Sequence, residues 1–162
     1  MNDDVYLAVG RALLDFARLE FMAHRVAWTG LDPLNQEIGR AQTALLQLGP
    51  VLSIIDRLAK DGAYGQFVPG GDERARAFTR SCRALARERG QLAHSFVDGG
   101  RLGHLRDAFA EPVPLLGVTK PADLDRLRAL PDLFFDLRDQ GVALWLEVES
   151  AAQPSMHDEE TR

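Results

Sequence analysis

Apolar residues recur at helical spacing along most of the chain, beginning near the N-terminus. The first stretch carries an apolar residue every three or four positions, and Gly30 is expected to end that helix. Its apolar positions are Val5, Val9, Ala12, Leu13, Phe16, Leu19, Ala23, Val26 and Ala27. A helix of roughly 26 residues is about 39 Å long, which favours a helical bundle over a small α/β unit.

Two shorter helical segments are predicted next. Asp32 before Pro33 predicts a helix start, because aspartate caps a helix N-terminus and proline suits its first position. Pro50 ends that segment and opens an apolar run over residues 51–58, which predicts a third helix. The glycine-rich stretch 62–71 then predicts a loop.

Two longer helices complete the pattern. Asp72 is expected to cap a helix that runs to about Phe96, and Thr119 to start a last helix that Pro131 kinks or restarts. Between them, residues 98–118 hold short apolar pieces interrupted by glycine and proline. We therefore predict an all-α fold, an antiparallel four- to five-helix bundle with an irregular or hairpin excursion before the last helix.

Length and composition fit one domain that needs neither metal nor disulfide. The chain has 162 residues, of which 46% are hydrophobic, so residues 1–150 are expected to form the bundle and residues 151–162 a disordered tail. Cys82 is the only cysteine and lies on an apolar stripe, which predicts a buried thiol in a reducing, cytoplasmic protein. We expect no membrane span, no metal and no cofactor, because the sequence lacks a long apolar run, zinc-type cysteine pairs and phosphate-binding glycine loops.

Basic residues collect on one face of the fourth helix. This face consists of Arg76, Arg80, Arg83, Arg87, Gly90 and His94. Residues 72–96 hold six arginines against three acidic residues, although the net charge of the whole chain is −5. The overall charge argues against broad nucleic-acid binding and still permits a local basic site. Such a face is typical either of a solvated surface or of an anion-binding site.

Arg89 stands where the helical period calls for an apolar residue. The stripe that contains it is made of Phe78, Cys82, Leu85, Leu92 and Phe96. A cation in that position costs free energy unless it is paired or lines a wet cleft. Glu20 lies on the apolar stripe of the first helix, so we expect Glu20 to orient Arg89 through a charged hydrogen-bonded pair. The alternative is that Glu20 reaches solvent past a thin stripe.

The segment from Arg89 to Ser95, Arg-Gly-Gln-Leu-Ala-His-Ser, resembles the motif of the HEPN superfamily (higher eukaryotes and prokaryotes nucleotide-binding). In that family an arginine precedes a histidine with four to six residues between them, and asparagine often follows the arginine, where this chain has Gly90. Arg87 also precedes His94 at a family spacing. Residues 16–20, Phe-Ala-Arg-Leu-Glu, are similar to the Phe-x-x-Leu-Glu segment of bacterial members.

This resemblance implies a metal-independent endoribonuclease, of a toxin or phage-defence type, with an active site in the cleft of a homodimer. It implies that Arg89 binds phosphate and that His94 is the general acid or base. Histidine titrates near neutral pH, and a planar arginine suits a phosphorane. The supporting residues that it implies are Glu20, Arg87 and Ser95, with Arg83 and Arg80 as substrate-binding residues.

Two other interpretations stay open. One is a non-catalytic HEPN-like dimeric module that binds RNA, a nucleotide or a protein partner such as an antitoxin. Gly90 and the acidic overall charge favour that interpretation. The other is a structural bundle in which the spacing of Arg89 and His94 is a coincidence.

Overall fold

A computed structural model of the chain describes the backbone of residues 3–93, 95–98, 101–104 and 121–153, and the side chains of residues 7–88, 126 and 128–153. The described residues form five helices and one antiparallel hairpin, which confirms the predicted all-α bundle with an excursion before the last helix. The helices are α1 (Asp3–Leu31), α2 (Gln36–Thr43), α3 (Leu48–Lys60), α4 (Gly71–Ala93) and α5 (Pro121–Ala152). The hairpin strands are β1 (Ser95–Asp98) and β2 (Arg101–His104), with Ser95 opposite His104.

Ion pairs between α4 and α5 show that these two helices run in opposite directions. Arg74 near the start of α4 pairs with Glu147 near the end of α5, whereas Glu88 near the end of α4 pairs with Arg126 near the start of α5. α1 packs against each of the other four helices, so it forms the centre of the bundle. Surfaces on different sides of α1 are therefore formed with different partner helices.

The core is built largely from the apolar stripes that the sequence predicts. Phe16 of α1 packs edge-on against Phe134 of α5, with ring centroids 5.6 Å apart. Cys82 is fully buried as predicted, and burial raises the pKa of its thiol to about 12, so the thiol stays protonated at neutral pH. Leu13, one of the apolar positions of the first helix, is 39% exposed and lies outside the core.

α1 ends at Leu31, one residue beyond the predicted end at Gly30. α1 continues through Gly30, where a Cβ atom would lie 2.5 Å from the hydroxyl oxygen of Tyr64. Tyr64 is fully buried and its hydroxyl donates a hydrogen bond to the backbone oxygen of Val26 at 3.1 Å. The predicted end is therefore right to within one residue, but Gly30 permits close packing and does not have the positive φ of a C-cap glycine.

α2 begins at Gln36, later than the predicted start at Pro33. The carboxylate of Asp32 accepts hydrogen bonds from the backbone N–H groups of Leu34 and Asn35, and so stabilises a turn before the helix. Asn35 is the residue that caps α2, since its side chain accepts a hydrogen bond from the second N–H group of the helix.

The limits of α4 differ from the prediction at both ends. α4 begins at Gly71. The Asp72 carboxylate accepts a hydrogen bond from the backbone N–H of Tyr64 in the preceding loop and does not cap its own helix. α4 ends at Ala93, so the expected extension to Phe96 is wrong. Ser95 and Phe96 belong to β1, where pairing with β2 requires an extended backbone.

α5 runs through Pro131 as a single helix, so the predicted restart at that proline does not occur. The helix ends at Ala152, two residues beyond the predicted boundary of the bundle. Residues 154–162 of the expected tail lie outside the described residues. Among the helices that the structure describes, none has an apolar stretch of sufficient length to cross a bilayer.

Candidate functional site

A cleft of about 600 Å³ opens between α1, α3 and α4. We call it the arginine cleft. Its lining residues are Phe16, Glu20, Gln47, Leu48, Gly49, Leu52, Arg83, Ala86 and Arg87. Three residues that the sequence predicts at the site are Glu20, Arg83 and Arg87. They lie in one cavity, although α1 and α4 are far apart in the sequence.

The two arginines of the cleft differ in what they contact. Arg83 forms an ion pair with Asp56 of α3, with Nη1 and Oδ2 2.5 Å apart, and the Thr79 hydroxyl donates to the other oxygen of the same carboxylate. Arg87 is exposed and makes no hydrogen bond or ion pair with any described residue. Arg83 is therefore held against α3, whereas the Arg87 guanidinium is available to a ligand.

The opposite wall of the cleft offers a carboxylate and an amide. Glu20 is half-buried and forms no hydrogen bond or ion pair within the described part of the chain. Gln47 is the N-cap residue of α3, but its side chain makes no capping hydrogen bond. Neither Gln47 nor Asp56 is identifiable from the helical pattern, because their roles depend on how α3 docks against α1 and α4.

Two other arginines of the predicted basic face lie outside the cleft. One is hydrogen-bonded to α3 and the other is exposed to solvent. Arg76 donates a hydrogen bond to the backbone oxygen of Ala59 at 2.8 Å, close to the C-terminal end of α3. Arg80 is exposed, lies outside the arginine cleft and has no partner among the described residues. The structure therefore brings Arg83 and Arg87 into the cleft and leaves Arg80 on the surface.

The segment from Arg89 to Ser95, which the sequence predicts to hold the catalytic residues, follows the cleft along the chain. Arg89 and Gly90 belong to the last turns of the α4 backbone, and Ser95 opens β1. His94 and the side chains of Arg89 and Ser95 lie outside the described residues. The predicted pair between Glu20 and Arg89, and the predicted position of His94 on the basic face, therefore stay predictions.

A second group of polar and aromatic residues lies on another side of α1, where it meets α2 and α5. We call it the tryptophan cluster, and it consists of Arg25, Trp28, Arg40, Thr43 and Trp145. The guanidinium carbon of Arg25 lies 4.4 Å from the ring centroid of Trp145, and that of Arg40 lies 5.2 Å from the ring centroid of Trp28. Arg25 Nε and Trp145 Nε1 are buried and have no hydrogen-bond partner among the described residues.

The Thr43 hydroxyl links α2 to Trp28 of α1. It is buried, accepts a hydrogen bond from Trp28 Nε1 at 2.5 Å and donates one to the backbone oxygen of Gly39 at 3.0 Å. His24 Nδ1 lies 3.2 Å from the same oxygen. Burial lowers the pKa of His24, and the Glu20 carboxylate and a backbone hydrogen bond offset this effect in part.

The described residues contain no group of three or more histidine, cysteine, aspartate or glutamate side chains that could hold a metal ion. Comparisons with protein-family models, with curated proteins and with solved structures find no match to this chain. A functional proposal therefore depends on the chemistry of the arginine cleft and on the resemblance of the motif between Arg89 and His94.

Proposed function

We propose that this protein is a metal-independent endoribonuclease of the HEPN type, which acts as a cytoplasmic homodimer in a toxin–antitoxin or phage-defence role. The observation that supports it best is the meeting of Glu20, Arg83 and Arg87 in one cleft. This cleft lies on α4 directly before the motif of Arg89 and His94. In this proposal RNA lies along the arginine cleft and is cut beside it.

The proposed reaction uses the 2′-hydroxyl of the RNA as the nucleophile. The 2′-oxygen forms a bond to the adjacent phosphorus while the bond to the 5′-oxygen breaks, which leaves a 2′,3′-cyclic phosphate and a 5′-hydroxyl. His94 of one subunit takes the 2′-proton, and the second His94 of a dimer returns a proton to the 5′-oxygen. Arg89 stabilises the charge that develops on the phosphorane. The atoms and protons balance without a metal ion.

The basic residues before the motif suit the phosphates that flank the cut. Arg87 precedes Arg89 by two residues, so their side chains leave the helix about 160° apart, and Arg87 suits a flanking phosphate and not the reacting one. Arg83, whose charge is offset in part by its ion pair with Asp56, and then Arg80, which lies outside the arginine cleft, extend the positive charge towards the start of α4. Contacts of this kind hold a nucleic-acid backbone without reading its sequence. Ser95, next to His94, is proposed to support the catalytic pair.

The homodimer of the proposal is supported by exposed apolar side chains on α1 and α5. Leu7 and Leu14 lie seven residues apart on α1 and are more than half exposed, and Phe135 of α5 is 49% exposed. A second copy of the chain that covered such a surface would remove apolar area from water. We expect a dimer by light scattering at micromolar concentration and a monomer for Leu14→Glu. A monomeric wild-type protein would argue against a shared active site.

RNA cleavage in the presence of EDTA tests the proposed reaction. We expect the wild-type protein to cut single-stranded RNA and to leave DNA of the same sequence intact, because DNA lacks the 2′-hydroxyl. Loss of a general acid or base lowers rates by roughly a hundredfold or more, so His94→Ala and Arg89→Ala should be nearly inactive. Arg40→Ala, which changes an exposed arginine of the tryptophan cluster, serves as the control. Equal activity of wild type and His94→Ala would exclude this site.

A non-catalytic module that binds RNA, a nucleotide or a protein partner is the second candidate. Gly90 favours it, because a glycine supplies no side chain where the family often has asparagine. Labelled RNA that is retained on a filter by the wild-type protein, without any cleavage, would support this function over the enzyme.

A further inference from the structure

The arginine cleft presents three different surfaces to a ligand. Its floor is apolar and includes Phe16 and Leu52, which are 7% and 1% exposed. Arg87 supplies an unpaired positive charge from α4, and Glu20 supplies an unpaired carboxylate from α1, in each case with respect to the described residues. A ligand that matches this cleft has an anionic end, an apolar surface and a group that donates hydrogen bonds.

The carboxylate of Glu20 narrows the choice of ligand. An ionised carboxylate only accepts hydrogen bonds, so it repels a bare phosphate or sulfate ion and attracts N–H groups. Glu20 is also half-buried, so its carboxylate gains from a ligand donor that replaces lost contacts with water. A nucleotide meets both requirements, since its phosphate suits Arg87 and the Watson–Crick edge of its base can face Glu20.

The four bases differ in what they offer to a carboxylate. Guanine presents two adjacent donors on its Watson–Crick edge, the N1 imino group and the N2 amino group, which match the two oxygens of a carboxylate. Adenine and cytosine present one amino group next to an acceptor nitrogen, and the imino group of uracil lies between two carbonyl oxygens. Guanine therefore fits Glu20 better than the other bases do.

We propose that the arginine cleft is a guanine-nucleotide subsite, in which Glu20 binds the Watson–Crick edge of the base and Arg87 binds its phosphate. The cavity volume of about 600 Å³ falls within the range of small-molecule sites. The base lies over the apolar floor, beside the Gln47 amide. This inference rests on the proposed function and adds that cleavage occurs next to a guanosine.

Binding of mononucleotides to the full-length wild-type protein tests the subsite without any cleavage step. By calorimetry we expect 5′-GMP to bind more tightly than 5′-AMP, 5′-UMP and 5′-IMP, and IMP differs from GMP only by the missing N2 amino group. Because a hydrogen bond to a charged group is among the stronger ones, the preference for GMP over IMP should be about tenfold or more. No measurable GMP binding, or equal binding of GMP and AMP, would overturn the subsite.

Two variants assign the roles of the side chains. Glu20→Gln keeps the shape of the side chain but removes one of its two acceptor oxygens, so the preference for GMP should disappear. The control Glu37→Gln, which changes an exposed residue of α2, should keep that preference. Arg87→Ala should weaken the binding of GMP and leave the binding of guanosine unchanged, because guanosine has no phosphate. A Glu20→Gln protein that still prefers GMP would overturn the role of Glu20.

RNA cleavage separates this inference from the proposed enzyme. If Glu20 instead supports Arg89, Glu20→Gln should slow the cleavage of all RNA sequences equally, and that result would overturn base recognition. Normal cleavage without any preference for guanosine would also overturn the subsite but leave the enzyme intact. GMP binding as expected without RNA cleavage would overturn the enzyme and support the subsite.

Discussion

The two sides of α1 place charged side chains in contrasting surroundings. Towards α2 and α5, Arg25 is half-buried, lies over the ring of Trp145 and donates a hydrogen bond to Gln36 at 3.2 Å. Towards α3 and α4, Glu20 and Arg87 line the arginine cleft without a partner among the described residues. The tryptophan cluster therefore joins helices, whereas the arginine cleft leaves charged groups available for binding.

This difference separates the residues that stabilise the fold from those that serve a ligand. Substitutions in the tryptophan cluster should lower the free energy of unfolding, because they remove contacts between packed helices. Substitutions of the unpaired charges in the arginine cleft should change that free energy little and should change binding. Four comparisons test this division, beginning with the largest expected effect on stability.

Trp28→Ala should give the largest loss. Removal of a buried tryptophan costs about 3–5 kcal/mol, and here it also deprives the buried Thr43 hydroxyl of a donor. Leu45→Ala is the control, because Leu45 is 98% exposed and its truncation should cost less than about 0.5 kcal/mol. Urea unfolding of both variants measures the difference. Similar losses for Trp28→Ala and Leu45→Ala would show that the tryptophan cluster does not stabilise the fold.

Glycine-to-alanine changes on the two sides should differ in their effect on stability, because only one of them creates overpacking. At Gly39 a Cβ atom would lie 2.7 Å from Trp28 Cα, so Gly39→Ala should cost about 1–3 kcal/mol through overpacking. At Gly49 in the arginine cleft, a Cβ atom meets nothing within 4 Å. Gly49→Ala should therefore be neutral or stabilise by up to about 1 kcal/mol, since alanine restricts the unfolded chain. Thermal unfolding of the two variants measures the difference. An equal fall in Tm for Gly39→Ala and Gly49→Ala would contradict it.

The pH dependence of stability should reveal His24. Its pKa is lowered by burial, so the unfolded chain takes up a proton at a higher pH than the folded chain does. Stability contributed by neutral His24 is complete above its ordinary pKa of 6.5 and is lost as the pH falls from there towards the folded-state pKa. His24→Gln should lose less stability than wild type between pH 7 and pH 5 in urea unfolding. Identical pH profiles would show that His24 does not contribute.

Arg87→Ala should have the smallest effect on stability. Its guanidinium is exposed and unpaired among the described residues, so the free energy of unfolding should change by less than about 0.5 kcal/mol. Arg83→Ala should cost more, because it breaks the pair with Asp56. A larger loss for Arg87→Ala than for Arg83→Ala would place Arg87 among the structural residues.

The helical period predicts the fold class and much of the core, but several helix limits depend on tertiary contacts. Gly30 predicts the end of α1 to within one residue because glycine is a common C-cap residue, yet here its role is to make room for Tyr64. That contact joins α1 to a loop more than thirty residues away in the sequence. Local propensity carries no information about such a distant partner.

Part of the candidate site can also be predicted from the sequence. Regular spacing on α4 groups Arg83 with Arg87, and the apolar stripe of α1 directs attention to Glu20. The same spacing groups Arg80 with them, although Arg80 lies outside the cleft. Gln47 reaches the cleft only through the docking of α3, which a helical projection of a single segment cannot describe.

The most direct test of the central claim compares two exposed arginines, Arg87 of the arginine cleft and Arg40 of the tryptophan cluster. Cleavage of single-stranded RNA is measured with EDTA at a substrate concentration below KM. We predict that Arg87→Ala lowers kcat/KM by about tenfold at low salt, as expected for the loss of a charged contact to phosphate, while Arg40→Ala leaves it unchanged. Equal rates for Arg87→Ala and wild type, or equal losses in both variants, would contradict the claim that RNA is held in the arginine cleft.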